Sequence, residues 1–344
     1  MRMEGSELGV VEAKADREVP ERAGIQGKSI QTVVWRHKRD DINNKSCKIQ
    51  SHGPVLRRYY PTRPTIPPLL CPTSRFLPTK TNTKIKTIYE EVRSLMRNII
   101  INKKKRTMKG DGDNDLLGIL LKTNLKASQE QGNKKNITLT TDEVIEECKL
   151  FYFAGQETTS ALLVWTMYLL SKHQKWQALA REEALAVFGD NKPTYEGLNQ
   201  LKTITMILYE VLRLYPPAAH ILRAIHKPTR LGELVLPAGV EFTLPVMAIQ
   251  HDPEIWGEDA LEFKPERFSE GITKATKGQG TFFPFSGGPR ICIGQNFAML
   301  ESKIALATIL RHFTFQLSPS YVHSPFNVVT IQPQHGAQFI LQKI

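Results

Sequence analysis

The sequence predicts a helix-dominated α+β domain on three observations. Apolar residues recur at helical spacing in three stretches between residues 84 and 216. Short strand-like runs then gather around turn residues in positions 231–245. A last helix gives way to a tail, Phe313 to Ile344, that reads as strands with turns. No internal repeat interrupts this order.

The elements follow in sequence. "KIKTIYEEVRSLMRNIIINKKK" sets Ile85, Ile88, Val92, Leu95 and Ile99 on one helical face. Its basic run, Lys103 to Arg106, is expected to be a solvated helix end, where cations suit the dipole. "TTDEVIEECKLFYFAGQETTSALLVWTMYLLSKH" opens at Thr140, which forms a capping box with Glu143. It stays apolar on nearly all sides for about 30 positions, predicting a long helix buried in the middle of a domain. "LNQLKTITMILYEVLRLYPP" predicts a third helix through Leu198, Leu201, Ile204, Leu208, Val211 and Leu212, stopped at Pro216-Pro217. "LGELVLPAGVEFTLP" predicts two short strands around a Pro237-Ala238-Gly239 turn. "HDPEIWG" offers Asp252 as N-cap with Pro253 at the first helical position. The final helix is expected near Asn296.

Composition narrows the function classes. Lys+Arg 46 against Asp+Glu 34 gives a net charge of +12, which suits nucleic acid, an anionic membrane surface or an acidic protein partner without choosing among them. No basic stripe interleaved with aromatic residues appears, so a nucleic-acid binder is the weakest of these. The four cysteines, Cys47, Cys71, Cys148 and Cys292, form no CxxC pair, which argues against a zinc site or a disulfide framework. The N-terminus lacks a signal peptide's apolar core, and "ALLVWTMYLL" is too short to span a bilayer, so no anchor is expected in this chain.

Chemistry concentrates in "FPFSGGPRICIGQNFAMLE". Cys292 sits before a predicted helix and two residues after Arg290; a helix N-terminus and a cation both favour a thiolate, the form of cysteine that binds metal. Gly287, Gly288 and Gly294 would let the backbone approach a flat ligand. A buried structural cysteine is the plainer alternative for a lone Cys. Elsewhere, Glu210 and Arg213 share a helix face among leucines, either as a surface pair or as a buried one with Arg267 of "FKPERF" as third partner. "AGQETTS" puts a glycine and Glu157-Thr158 into an apolar helix, as a kink or as a functional groove. Arg223 of "AAHILRAIHKP" is either an exposed strand arginine or a carboxylate ligand.

The spacing Phe285-x-x-Gly288-x-Arg290-x-Cys292-x-Gly294 resembles the haem-binding loop of the cytochrome P-450 superfamily, the haem-thiolate monooxygenases. The resemblance implies a cytochrome P-450 fold lacking its N-terminal part, with heme b (iron protoporphyrin IX) as cofactor. Cys292 would then be the iron ligand, shielded by Phe285 and flanked by Gly288 and Gly294, with Arg290 and Arg223 on the haem propionates. Glu157 and Thr158 match the family's acid–alcohol pair, Thr158 holding water and Glu157 relaying protons. Glu210, Arg213 and Arg267 match its structural triad. Ala218 to Leu222 and the turn near Gln332 to His335 would face the substrate.

"LFYFAGQETTS", "LYEVLRLYPP" and "SPSYVHSPFNVVTIQPQHGA" resemble the plant seventy-two clan, secologanin-synthase-like members in particular. That implies oxygen insertion from O2 into terpenoid, iridoid or hormone-like molecules, with electrons from NADPH through a flavoprotein reductase at the cytosolic face of the endoplasmic reticulum. Residues 75–344 carry the resemblance as a partial monooxygenase domain. Residues 1–74 do not, and "YYPTRPTIPPLLCPTSR" with its five prolines points to loop or disorder there. The alternative is a truncated, non-catalytic fragment that keeps the haem-binding motifs. Intact Glu157-Thr158 argues against haem-thiolate isomerases, which often lack that pair.

Overall fold

A computed structural model describes residues 24–26, 78–108, 115–130 and 139–344. The disorder expected of residues 1–74 lies outside the described residues except for β1 (Gly24–Gln26), which pairs with the C-terminal strand. The helices are α1 (Lys80–Met108), α2 (Leu116–Glu130), α3 (Thr141–Lys172), α4 (Gln174–Phe188), α5 (Tyr195–Gln200) and α6 (Lys202–Leu214). Then come β2 (Ile221–Ala224), β3 (Thr229–Leu231), β4 (Leu234–Leu236), β5 (Glu241–Leu244), α7 (Val246–His251), α8 (Pro253–Trp256) and α9 (Ile272–Ala275). After the cysteine loop come α10 (Gln295–His312), β6 (Phe313–Leu317), β7 (Pro325–Asn327), β8 (Ile331–Pro333) and β9 (Gln338–Lys343). The fold is the mostly helical α+β architecture expected.

The main core gathers α3, α4, α6 and α10, with Trp165, Met167, Leu170, Ile204, Leu208, Val211, Leu306 and Leu310 buried together. The capping box at Thr140 forms: Thr140 Oγ1 accepts from the Glu143 N–H, and the Glu143 carboxylate accepts from the Thr140 N–H at 2.6 Å. Long α3 is buried on all sides only in its second half, Thr159–Leu170, so the expectation of burial throughout is corrected. In its first half Val144, Ile145, Cys148 and Tyr152 lie on one face against α1 and α2, while Leu150, Phe151 and Phe153 are exposed. Composition alone could not see that, among the described residues, one face there is packed and the other exposed.

Two further expectations are corrected. The predicted third helix is two, because Leu201 leaves helical geometry (ψ 86°) between α5, capped by Thr194, and α6. The Glu183 carboxylate accepts from the N–H groups of Thr203 and Ile204 at 2.7 and 2.9 Å, capping α6 from another helix. Lys103 is not solvated: at 8% exposure it reaches Asp115 at 2.8 Å, while Lys104, Lys105 and Arg106 stay exposed.

The strands Leu234–Leu236 and Glu241–Leu244 both form, and Gly239 takes the positive φ (88°) that its turn requires. They do not pair with each other. β4 pairs back on β3, and β5 pairs antiparallel with β2, setting Arg223 opposite Phe242. β6 and β1 flank β9 in a three-stranded sheet, and β7 pairs with β8 in a hairpin. Asp252 caps α8 with Pro253 at its start, as expected.

Candidate functional site

The site is built on the loop between Phe283 and α10. Gly288 has φ 67°, a left-handed conformation that favours glycine, and Ser286 takes φ 65° without being one. These bends turn the chain back so that the Cys292 N–H donates to the Phe285 carbonyl at 2.9 Å. Phe285 packs against the main core while Cys292 is exposed. Gly294 caps α10, and a Cβ there would stand 3.8 Å from Cys292 Sγ, an ordinary contact. Gly287 and Gly294 have negative φ, so only Gly288 of the three glycines depends on its conformational freedom.

Exposure of Cys292 excludes the buried structural cysteine. Its neighbours Ile291, Ile293 (84% exposed) and Phe297 hold large apolar side chains in the open, which suits an apolar group lying over the loop. Arg290 is exposed in the short 3-10 turn Gly288–Arg290. Arg223 reaches the loop from β2, its Nη2 donating to Ser286 Oγ at 2.6 Å and its Nη1 to the Leu222 carbonyl. Sequence reasoning named Arg223 and missed Ser286; its place between Phe285 and two glycines was the available clue. Among the described residues no group of three or more His, Cys, Asp or Glu could hold a bare metal ion. One sulfur with two nearby guanidinium groups fits a metal that brings its other ligands, on a flat group edged with carboxylates.

Behind this loop the predicted triad is assembled, with Glu210 and Arg213 fully buried and Arg267 nearly so. Arg213 donates through Nε and Nη2 to the two oxygens of Glu210, both at 2.8 Å, and both residues are 0% exposed. Its remaining N–H groups donate to the carbonyls of Gln250, Ala260 and Glu262. Arg267 Nε lies 3.7 Å from Glu210, and its Nη2 pairs with Asp259 at 3.1 Å. Lys264 and Arg267, by pairing and hydrogen bonding, hold the Asp259 carboxyl below its usual range. Gln250 then links triad to loop: its Nε2 donates to the carbonyls of Leu212 and Arg213, and its Oε1 accepts from the Phe283 N–H.

The acid–alcohol pair lies on α3, which packs against α10. Thr158 Oγ1 donates to the Ala154 carbonyl one turn back, at 2.7 Å. Glu157 Oε1 accepts from Thr330 Oγ1 at 2.9 Å and from Gln332 Nε2 at 3.4 Å. Gln332, expected to face a substrate, is instead 6% exposed and bonded to Thr330 and Glu157. Ala219, His220 and Leu222 line an open surface groove of about 610 Å³ with Thr243, Pro245 and Met247.

Comparison with known proteins adds to this geometry. A sequence model of the family described as Cytochrome P450 matches residues 58–339. The chain is similar to a 7-deoxyloganic acid hydroxylase of Catharanthus roseus, 58% identical over 277 residues, 79% of this chain and 53% of that protein. It is also similar to Cytochrome P450 72A15 of Arabidopsis thaliana, 57% identical over 274 residues, 79% of this chain and 52% of that protein. An 11-oxo-beta-amyrin 30-oxidase of Medicago truncatula is 57% identical over 269 residues, 78% of this chain and 51% of that protein. The chain thus spans about half the length of the curated relatives it matches.

Proposed function

This chain belongs to the cytochrome P450 family, and from that premise we propose that it acts as a haem-dependent monooxygenase on a lipophilic terpenoid or iridoid. The overall reaction is RH + O2 + NADPH + H+ → ROH + H2O + NADP+. Electrons would arrive through a flavoprotein reductase, with the cytosolic face of the endoplasmic reticulum as the location. Among the described residues no helix is long and apolar enough to cross a membrane. The substrate class proposed follows the names of the relatives, a 7-deoxyloganic acid hydroxylase and an 11-oxo-beta-amyrin 30-oxidase.

The observation that carries the reading is the exposed Cys292, presented at the start of α10 by a loop closed on Phe285. Cys292 would hold the haem iron, Arg223 and Arg290 its propionates, and Gly288 would let the loop turn. Bound haem supplies the activation of oxygen. Around it this chain's own residues have narrower tasks. Phe285 covers the sulfur side from the core. Thr158 Oγ1, with its proton committed to the Ala154 carbonyl, accepts a hydrogen bond from water and orients it. The Glu157 carboxylate passes protons toward that water.

The test is reconstitution of the purified chain with haem. A carbon-monoxide difference band of thiolate type, lost in Cys292→Ala, is the expected result; a band that persists in the variant refutes the ligand assignment. Thr158→Ala is expected to divert reducing equivalents to hydrogen peroxide. A thiolate band without NADPH-dependent product would refute the monooxygenase reading while leaving the ligand assignment in place.

A further inference from the structure

We propose that Thr330 and Gln332 are positioning residues that hold the Glu157 carboxylate for proton transfer, so that the β7–β8 hairpin sets the acid's place. The inference rests on the reading of Glu157 as the proton-relaying acid. It adds two residues on an element that the acid–alcohol motif does not contain.

The donor count decides the arrangement. The Thr330 hydroxyl has one proton, directed to Glu157 Oε1 at 2.9 Å, so toward Gln332 it can only accept. Gln332 Nε2 supplies that bond at 2.8 Å and also approaches Glu157 Oε1 at 3.4 Å. Thr330 and Gln332 are both buried, where an unmade polar bond is costly, so one arrangement is strongly preferred.

The hairpin is itself pinned between these two residues. The Ile331 N–H donates to the Pro217 carbonyl, and the Ile331 carbonyl accepts from Trp165 Nε1, both at 3.0 Å. Trp165 is fully buried on α3, two turns beyond Glu157, and stacks on Tyr215 with ring centroids 4.2 Å apart. The hairpin is therefore tied to the helix that carries the acid. The two members of the pair are fixed independently: Thr158 by its own helix and Glu157 by residues more than 170 positions away.

Thr330→Val keeps the shape and removes the hydroxyl; Thr330→Ser restores it. Two readouts apply to the haem-loaded chain. The first is the Glu157 carboxylate stretch in the infrared, isolated by subtracting the Glu157→Gln spectrum. The second, with reductase, NADPH and no added substrate, is hydrogen peroxide formed per NADPH. It separates O2 + NADPH + H+ → H2O2 + NADP+ from O2 + 2 NADPH + 2 H+ → 2 H2O + 2 NADP+, which needs further proton delivery. Thr330→Val is expected to shift the band and raise the peroxide yield at least twofold, with Thr330→Ser returning both to wild type. An unmoved band, or a moved band with unchanged peroxide yield, overturns the inference. If Thr330→Val does not fold, Gln332→Met is judged by the same criteria. A wild-type chain lacking the thiolate-type band overturns the haem reading and this inference together; a wild-type chain with the band and an unaltered Thr330→Val overturns the inference alone.

Discussion

Glu210→Ala removes one side of an ion pair that has no access to water. Arg213 would lose both bonds of its bidentate contact and keep the carbonyls of Gln250, Ala260 and Glu262, which are dipoles and not counter-charges. The Lys264 N–H, which donates to Glu210 at 3.0 Å, would lose its acceptor as well. Breaking a buried pair from one side costs about 3–5 kcal/mol, and the orphaned backbone donor adds about 1 kcal/mol. Replacing both partners by apolar residues, Glu210→Met with Arg213→Leu, removes the stranded charge and is expected to cost less than Glu210→Ala alone. Urea denaturation measures this as a fall in transition midpoint at constant slope. Because Arg213 and Gln250 lead to Phe283, haem retention is expected to fall in parallel. A Glu210→Ala cost below about 1 kcal/mol, or a double variant worse than the single, would refute the buried-charge argument.

Gly197→Ala would put a Cβ 2.4 Å from Phe188 Cε1 in the core and is expected to destabilise by about 1–3 kcal/mol. Gly155→Ala meets nothing within 4 Å and is expected to stabilise α3 by about 0.5–1 kcal/mol; thermal melts of the two should move in opposite directions. Arg97 and Arg93, bonded at 2.6 and 2.7 Å, hold the Asp142 carboxyl below its ordinary 3.8. A depressed carboxyl stabilises the fold above its unfolded value and loses that contribution as pH falls through the folded one. Protection factors of α1 amides, corrected for the pH dependence of intrinsic exchange, should therefore fall with acid below about pH 4 in wild type and respond less in Asp142→Asn; equal responses would discount the contact.

The sequence by itself determined what depends on neighbours in the chain. Thr140 and Glu143 are three residues apart, so their capping box was legible without a fold. So were Asp252 with Pro253, the turn at Gly239, and the spacing from Phe285 to Gly294 that presents the cysteine. The Glu210–Arg213 pair was legible as a shared helix face, and its complete burial was not.

Tertiary structure alone decided which groups meet across long loops. It put Asp115 against Lys103, gave α6 a cap from Glu183, and, among the described residues, left one face of the first half of α3 exposed. It set Arg223 on Ser286 and brought Thr330 to Glu157. Periodicity and capping report dihedral angles and faces, which are short-range. The partner of a carboxylate depends on how distant segments close on one core, and no local pattern encodes that closure.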